Sequence, residues 1–278
     1  MDRSELASFL RVRREALRPA DVGLVPGARR RTPGLRREEV ALLANMSTDY
    51  YERLEQARGP HPSQPLVACL ARALRLSTDE RDHLYVLAGY PPPVAHAPSG
   101  YVDPGLMHVL DALTTVPALV CDDLTTVLAR NPLGAALFGP SAGTAGREDN
   151  TVWRWFTDPA SRAVYLPAEH EQLGRGYVAD LRASVVRRGK DPVAAALVAD
   201  LLEVSPGFAA VWGLHEVRPM RSSRKTYVHP RAGVLQMQCD VIVSPDTGLR
   251  LVSLRPQPGT GSAERLDLLR VLGTQAFA

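Results

Sequence analysis

The sequence predicts two domains of different class: a mainly α N-terminal domain of five helices and an α+β C-terminal domain whose antiparallel sheet is interrupted by a helical insert. Three observations lead there. Over residues 37–55, apolar and small side chains recur at helical spacing around a single turn. Beyond a proline-rich stretch at 90–100, short β-branched runs begin to alternate with helical ones. The 278 residues are also enough for about two domains at roughly 100–200 residues each.

The elements of the first domain follow in order. A helix near Ser4 to Leu17 carries Leu6, Phe9 and Leu10 on one face. A long connection, Asp21 to Gly34, leads to a helix whose inner face is marked by Val40, Ala41 and Ala44. Ala41 falls where two crossing helices leave room only for a small side chain. Asn45 falls at the turn, where a positive φ is tolerated by Gly, Asn and few others. Met46 plugs the turn, Ser47 caps the next helix, and Tyr51 and Leu54 mark that helix's inner face. A helix from about Ser63 to Leu76 follows. Another is opened by the capping box Ser77-Thr-Asp-Glu80 and closed at Gly89. Tyr90 to Gly100 then reads as a linker stiffened by polyproline, which divides the chain into 1–90, a linker at 91–103, and 104–278.

The outer face of the second helix of this pair offers what a major groove reads. Arg53 can donate twice to a guanine edge, Asp49 can accept from a cytosine amino group, and Thr48 can reach a base or a thymine methyl. Ser47 and Tyr50 flank them at the same helix start, while Glu52 suits a solvated face. Arg37 and Arg36, at the start of the preceding helix, are placed for phosphates. Arg29, Arg30 and Arg31 extend that run, with no acid from 29 to 37, toward the backbone or the minor groove. Charge is uneven in the same sense: residues 1–100 hold 15 Arg against 12 Asp or Glu, and residues 101–278 hold 18 basic against 18 acidic. The whole net charge of +3 therefore lies in the N-terminal part. With 31 Arg against Lys190 and Lys225 only, the preference for Arg reflects base composition more than function.

Leu35-Arg36-Arg37-Glu38-Glu39-Val40-Ala41 and Arg53-Leu54-Glu55 resemble the opening and close of the helix-turn-helix of the XRE (lambda-repressor-like) transcription regulators. The resemblance implies a five-helix domain in which Arg14 pairs with Glu55 and locks the recognition helix. The connection from Asp21 to Gly34 is longer than that family's usual tight link.

In the second domain, Pro117 to Asp122 and Thr125 to Ala129 read as a hairpin across Asp122-Asp123. His215 to Pro219, Leu235 to Val243 and Leu249 to Leu254 read as three more antiparallel strands. Between them lie helical stretches at Trp153 to Phe156, near Ala168 to Arg188 and near Pro192 to Glu203. Hairpin, helices, then three strands is the order of a PAS-like sheet, which keeps a cavity beside its helices; the pattern alone gives α+β.

Several short segments carry a second resemblance. They are Pro117-Ala-Leu-Val, Ala129-Arg-Asn131, Asn150 with Trp153 and Phe156, Asp191-Pro192, Ser205-Pro-Gly-Phe208, Trp212 with His215-Glu-Val217, and Lys225 with His229-Pro230 and Gly233. They make residues 104–273 similar to the MmyB-like ligand-binding domain that follows such a helix-turn-helix. It implies a PAS-like sensor for fatty-acid-like or other apolar small molecules, whose occupancy changes operator affinity. Asn131, Trp153, Trp212, His215 and His229 are then the residues to touch ligand. Each also has a plainer reading: large aromatics fill cores, strand histidines hydrogen-bond structure, and an Asn before Pro132 caps a turn or helix. Arg130 departs from the small or aromatic residue usual beside that Asn.

Other classes find little support. Cys69, Cys121 and Cys239 lack metal-ligand spacing, no signal peptide precedes Ser4, and no apolar run would span a bilayer. No metal or cofactor is expected. Gly259-Thr-Gly261 lacks the rest of a phosphate loop, and there is no Gly-x-Ser-x-Gly elbow. The expectation is a cytoplasmic, homodimeric, non-enzymatic regulator, a repressor, on a double-stranded DNA operator of two half-sites, responding to an apolar or fatty-acid-like small molecule. Two alternatives stand beside it: a C-terminal dimerisation or protein-interaction module without ligand, and a hydrolase-like domain using His215 or His229 as base.

Overall fold

A computed structural model describes residues 1–25, 32, 34–93, 100–140 and 143–275. The chain forms two compact units, Met1–Pro93 and Val94–Ala278. The first is all α, with five α-helices among its described residues: α1 (Arg3–Ala16), α2 (Arg37–Leu43), α3 (Thr48–Glu55), α4 (Gln64–Ala73) and α5 (Thr78–Leu87). Asp2 opens α1 by accepting the Ser4 and Glu5 amides. Ser77 and Glu80 exchange bonds across the first turn of α5 at 3.3 and 3.0 Å. Leu10, Leu35, Val40, Tyr51, Leu70 and Leu84 share one buried core, so all five helices converge on it. After α1 the chain makes a 3-10 turn, Pro19–Val22. It returns past the end of that helix at Gly34, where a Cβ would fall 2.4 Å from the Glu15 carbonyl oxygen. Only glycine permits that approach.

The second unit opens with α6 (Pro104–Ala112) and the hairpin β1 (Ala118–Cys121) and β2 (Val127–Arg130). Six helices follow in chain order around the remaining strands: α7 (Pro132–Phe138), α8 (Thr151–Thr157), α9 (His170–Arg188), α10 (Pro192–Val204), α11 (Pro206–Trp212) and, at the end, α12 (Ser262–Gln275). Strands β3 (Ser223–His229), β4 (Gly233–Val243) and β5 (Arg250–Pro256) complete a five-stranded antiparallel sheet in the order β2-β1-β5-β4-β3. The first and last strands of the unit thus pair at its centre, as β1 with β5.

Alternation along the strands divides the sheet into two faces. Val120 and Leu251 pack with Leu110 of α6. Leu235, Met237, Cys239 and Leu254 face the larger core, built with Trp155, Tyr177, Leu181, Leu197, Phe208 and Leu266 of the helices. A buried pair ties the two layers: Arg250 of β5 donates to Asp180 of α9 at 2.6 and 3.2 Å.

One predicted strand is misplaced. His215 to Pro219 is not a strand: His215 has φ 53°, and the chain there bonds to α9 instead of to a neighbour strand. The Arg218 amide donates to the Ala179 carbonyl and the Met220 amide to the Asp180 carboxylate. The strand lies eight residues later, at Ser223–His229, on the sheet edge, where Arg224, Lys225 and His229 hide the alternation. The predicted helix near Ala168 begins at His170, after a 3-10 turn at Pro167–Glu169. No single helix among the described residues is long and apolar enough to cross a membrane.

Candidate nucleic-acid interface and ligand cavity

Helices α2 and α3 are set by their shared turn. Asn45 takes φ 53°, and the Met46 amide closes back onto the Ala41 carbonyl at 2.9 Å. Ala41 and Ala44, each 1% exposed, occupy the crossing. Ser47 then starts α3 by accepting the Tyr50 amide at 3.2 Å, so its hydroxyl is used in capping.

What fixes α3 against the rest of the unit is a buried charge cluster. Arg14 of α1 donates through Nε to Glu55 Oε1 at 2.5 Å and through Nη2 to Oε2 at 3.2 Å. Its Nη1 holds the Leu35 carbonyl at 3.0 Å. Arg37 adds a second bond to Glu55 Oε2 at 2.8 Å. Burial pushes the Glu55 carboxyl up, but the bonds from Arg14 and Arg37 outweigh it and hold the carboxyl below its ordinary value. The pair implied by the resemblance is thus present, and it is extended by a third member. Arg37, expected at a phosphate, is shared: its Nε belongs to Glu55, its Nη1 lies 3.5 Å from Glu52, and the side chain remains exposed.

Thr48, Asp49 and Arg53 are exposed on the outer face of α3. Arg53 and Asp49 bond to each other one turn apart, which holds the Asp49 carboxyl below its ordinary value. Tyr50 is half-buried against the helical core. Arg36 is exposed; its amide donates to Glu39 at 2.6 Å and its guanidinium to Glu38 at 3.2 Å. Arg29, Arg30 and Arg31 lie outside the described residues.

In the second unit a cavity of about 100 Å³ lies between the sheet and the helices. Aromatic rings form much of its wall: Phe138, Trp155, Tyr165, Tyr177 and Tyr227. They meet edge to face, Phe138 with Tyr227 at 5.4 Å and Trp155 with Tyr165 and Tyr177 at 5.3 and 5.2 Å. Tyr177 donates to the Tyr165 hydroxyl at 3.2 Å. Burial pushes the Tyr177 phenol up to about 12 and those of Tyr165 and Tyr227 well above their ordinary value, so all three stay neutral. A second cleft, of about 360 Å³, shares Tyr177, Met220 and Lys225 with this wall.

The five residues expected to touch ligand lie outside the cavity wall, and each has work elsewhere. Asn131 caps α7, accepting the Gly134 and Ala118 amides at 2.7 and 2.9 Å and donating to the Leu113 and Val116 carbonyls. Every hydrogen-bonding position it has in the strand–helix junction is filled. Trp153 lies under the Arg147 guanidinium. Trp212 stacks on Phe208, with Arg182 3.9 Å over its ring. His215 is exposed and 3.3 Å from Arg182. His229 accepts the Arg231 and Ala232 amides of its own turn through Nδ1. Nδ1 is thus engaged in both histidines.

The wall residues that sequence reasoning missed come from distant segments. Tyr227 sits on the strand that was misplaced, and Tyr165 follows an irregular turn that carries no pattern. Other wall residues lie in segments that the sequence does single out: Pro117 to Leu119, Arg130 and Lys225 in those carrying the family resemblance, and Trp155 among the aromatics of the helical insert.

Comparison with protein families gives two matches. A profile described as "MmyB-like transcription regulator ligand binding domain" matches residues 102–269, and one described as a helix-turn-helix domain matches residues 5–84. No curated protein matches the chain.

Proposed function

The chain belongs to the MmyB-like transcription regulators, a DNA-binding helix-turn-helix domain followed by a ligand-binding domain, and we propose that it is a homodimeric, cytoplasmic repressor whose operator affinity is set by an apolar or fatty-acid-like small molecule. The observation that carries this reading is the aromatic-walled cavity in the second unit, in a chain whose first unit turns Thr48, Asp49 and Arg53 outward from a recognition helix clamped by Arg14 and Glu55. Those three side chains read base edges. Arg36, the exposed part of Arg37 and the segment of Arg29, Arg30 and Arg31 grip the phosphate backbone. Ser47 and Tyr50 contribute by position, one capping α3 and the other bracing its first turn. A lone recognition helix buries too little surface to be specific, which argues for two copies on two half-sites.

Genome-wide mapping of bound sites, with the full chain and with residues 104–278 deleted, tests the reading. Bound sites that contain paired half-sites, and that empty when fatty acid is added to the full chain, are the expected result. A second reading has one observation in its favour. Ligand pockets commonly measure about 300–1,000 Å³, and this cavity is smaller. If no apolar compound shifts the melting temperature of the chain and no lipid copurifies, the second unit is a dimerisation or protein-interaction module.

A further inference from the structure

The wider cleft beside the cavity gathers positive charge without matching acid. Arg218, Arg221, Arg224 and Lys225 all line it, and no Asp or Glu occurs in the chain between Glu216 and Asp240. Two carboxylates reach the cleft from α9 and the turn before it, Asp180 and Glu169. Asp180 is committed elsewhere: it accepts from Arg250 at 2.6 and 3.2 Å and from the Met220 amide at 2.7 Å. Glu169 accepts the Thr226 amide at 3.4 Å, and Glu216 bonds to Arg175. Among the described residues, none of the four cations forms an ion pair.

The backbone holds these cations around the cleft. The Arg218 amide donates to the Ala179 carbonyl at 3.2 Å and the Met220 amide to Asp180, which pins the irregular stretch before β3 to α9. Gly176 of α9 makes room for the Arg218 guanidinium, since a Cβ there would lie 3.3 Å from its Nη2. Lys225 is half-buried, its Nζ 5.3 Å over the Tyr177 ring, where the cleft meets the aromatic cavity. Like charges around one concavity repel each other and draw in a multivalent anion. A phosphate group carries about two negative charges near neutral pH, and its oxygens accept from several guanidiniums at once. Residues 101–278 hold 18 basic and 18 acidic side chains. A local excess of cations in a neutral unit fits a compact anion better than a long nucleic-acid backbone.

We propose that this cleft binds a phosphorylated small molecule, its phosphate or diphosphate held by Arg218, Arg221 and Arg224 with Lys225 at the inner end. The site belongs to the second unit alone, and it requires neither an apolar ligand in the cavity nor operator DNA. Tyr177, Met220 and Lys225 line both voids, so an anion on Lys225 bears directly on the wall of the cavity. The phosphorylated molecule is thereby placed to act as a second effector beside the first.

Titration calorimetry of the full chain with inorganic pyrophosphate, at an ionic strength held constant with sodium chloride, tests it. Wild type should bind pyrophosphate, and Arg221→Gln combined with Arg224→Gln should weaken that binding about tenfold or more. Both side chains are exposed, so the double variant should melt like wild type without ligand. If it melts lower, either single variant serves for the same comparison. A double variant that binds pyrophosphate as tightly as wild type would place the anion elsewhere, for instance on the arginines of the helix-turn-helix unit, and overturn the proposal. Failure of wild type to bind pyrophosphate would overturn it too. If, in that case, the double variant also lost affinity for DNA of random sequence, these cations would be a second contact to the DNA backbone instead.

Discussion

Glu55 shows how one residue links fold and function. Its side chain is fully buried, it accepts from Arg14 and Arg37, and it sits at the end of the helix whose other end faces outward. Removing it takes from the buried Arg14 guanidinium its buried carboxylate partner and leaves it only the exposed Glu15 at 3.0 Å and the Leu35 carbonyl, so Glu55→Ala should destabilise the helix-turn-helix unit by about 3 kcal/mol, as read from urea unfolding of the full chain. The acid limb has a definite sign. Because the folded carboxyl is held below the unfolded value near 4.5, its contribution is present above that pH and is lost as pH falls through the folded value. Wild type should therefore lose this increment in acid, and Glu55→Gln should show a flatter acid limb. Equal slopes would mean that the carboxylate is not preferentially charged in the fold. A second residue pair separates readout from grip. Arg53→Ala should cost about 1–3 kcal/mol on the operator and relax preference at one base pair. Arg37→Ala should weaken all sequences alike and also lower the melting temperature, because it gives up its bond to Glu55. Binding to a panel of single-base operator variants, with melts alongside, distinguishes the two.

Among elements, legibility followed how local the determinants are. The α2–turn–α3 element was readable because a small crossing residue, a positive-φ Asn, a cap and two inner-face residues must fall at fixed offsets within one short segment. The strand β3 was not, because it is a polar edge strand and its apolar face is reduced to Tyr227. The cavity wall was the least legible: Phe138, Trp155, Tyr165, Tyr177 and Tyr227 converge only after the sheet has formed, and each alone is indistinguishable from core. Asn131 illustrates the reverse. The family resemblance pointed to ligand contact there, yet Asn131 joins β2 to α7 and bridges Leu113, Val116 and Ala118, as the plainer reading of a cap before Pro132 has it. Asn131→Ala should lower the stability of the second unit by about 3 kcal/mol, since several buried backbone groups lose their partner together. Decanoate affinity should be retained below the new melting temperature. A loss of affinity with an unchanged melt would return Asn131 to the binding site.

At the scale of the whole molecule, regulation requires that ligand distinguish two states of the chain, since a ligand binding both equally shifts nothing however tightly it binds. The cavity offers a physical basis for such a difference, because its wall is shared between layers that would have to move apart. Met220 lines both it and the neighbouring cleft, and the Met220 amide is held by Asp180, which also anchors Arg250 of the central strand β5. Ligand that displaces Met220 therefore strains a bond reaching into the centre of the sheet. Binding to the native chain stabilises it by about 2.7 kcal/mol at a hundredfold excess over the dissociation constant, so a matching ligand should raise the melting temperature and change operator affinity in parallel. Val252→Phe, which adds a ring to the cavity wall, should abolish both responses together and leave operator binding without ligand as in wild type. Full chains carrying this change, titrated with decanoate in thermal-shift and DNA-anisotropy assays, give the answer. A thermal shift that disappears while the DNA response persists would place the regulatory ligand somewhere other than this cavity.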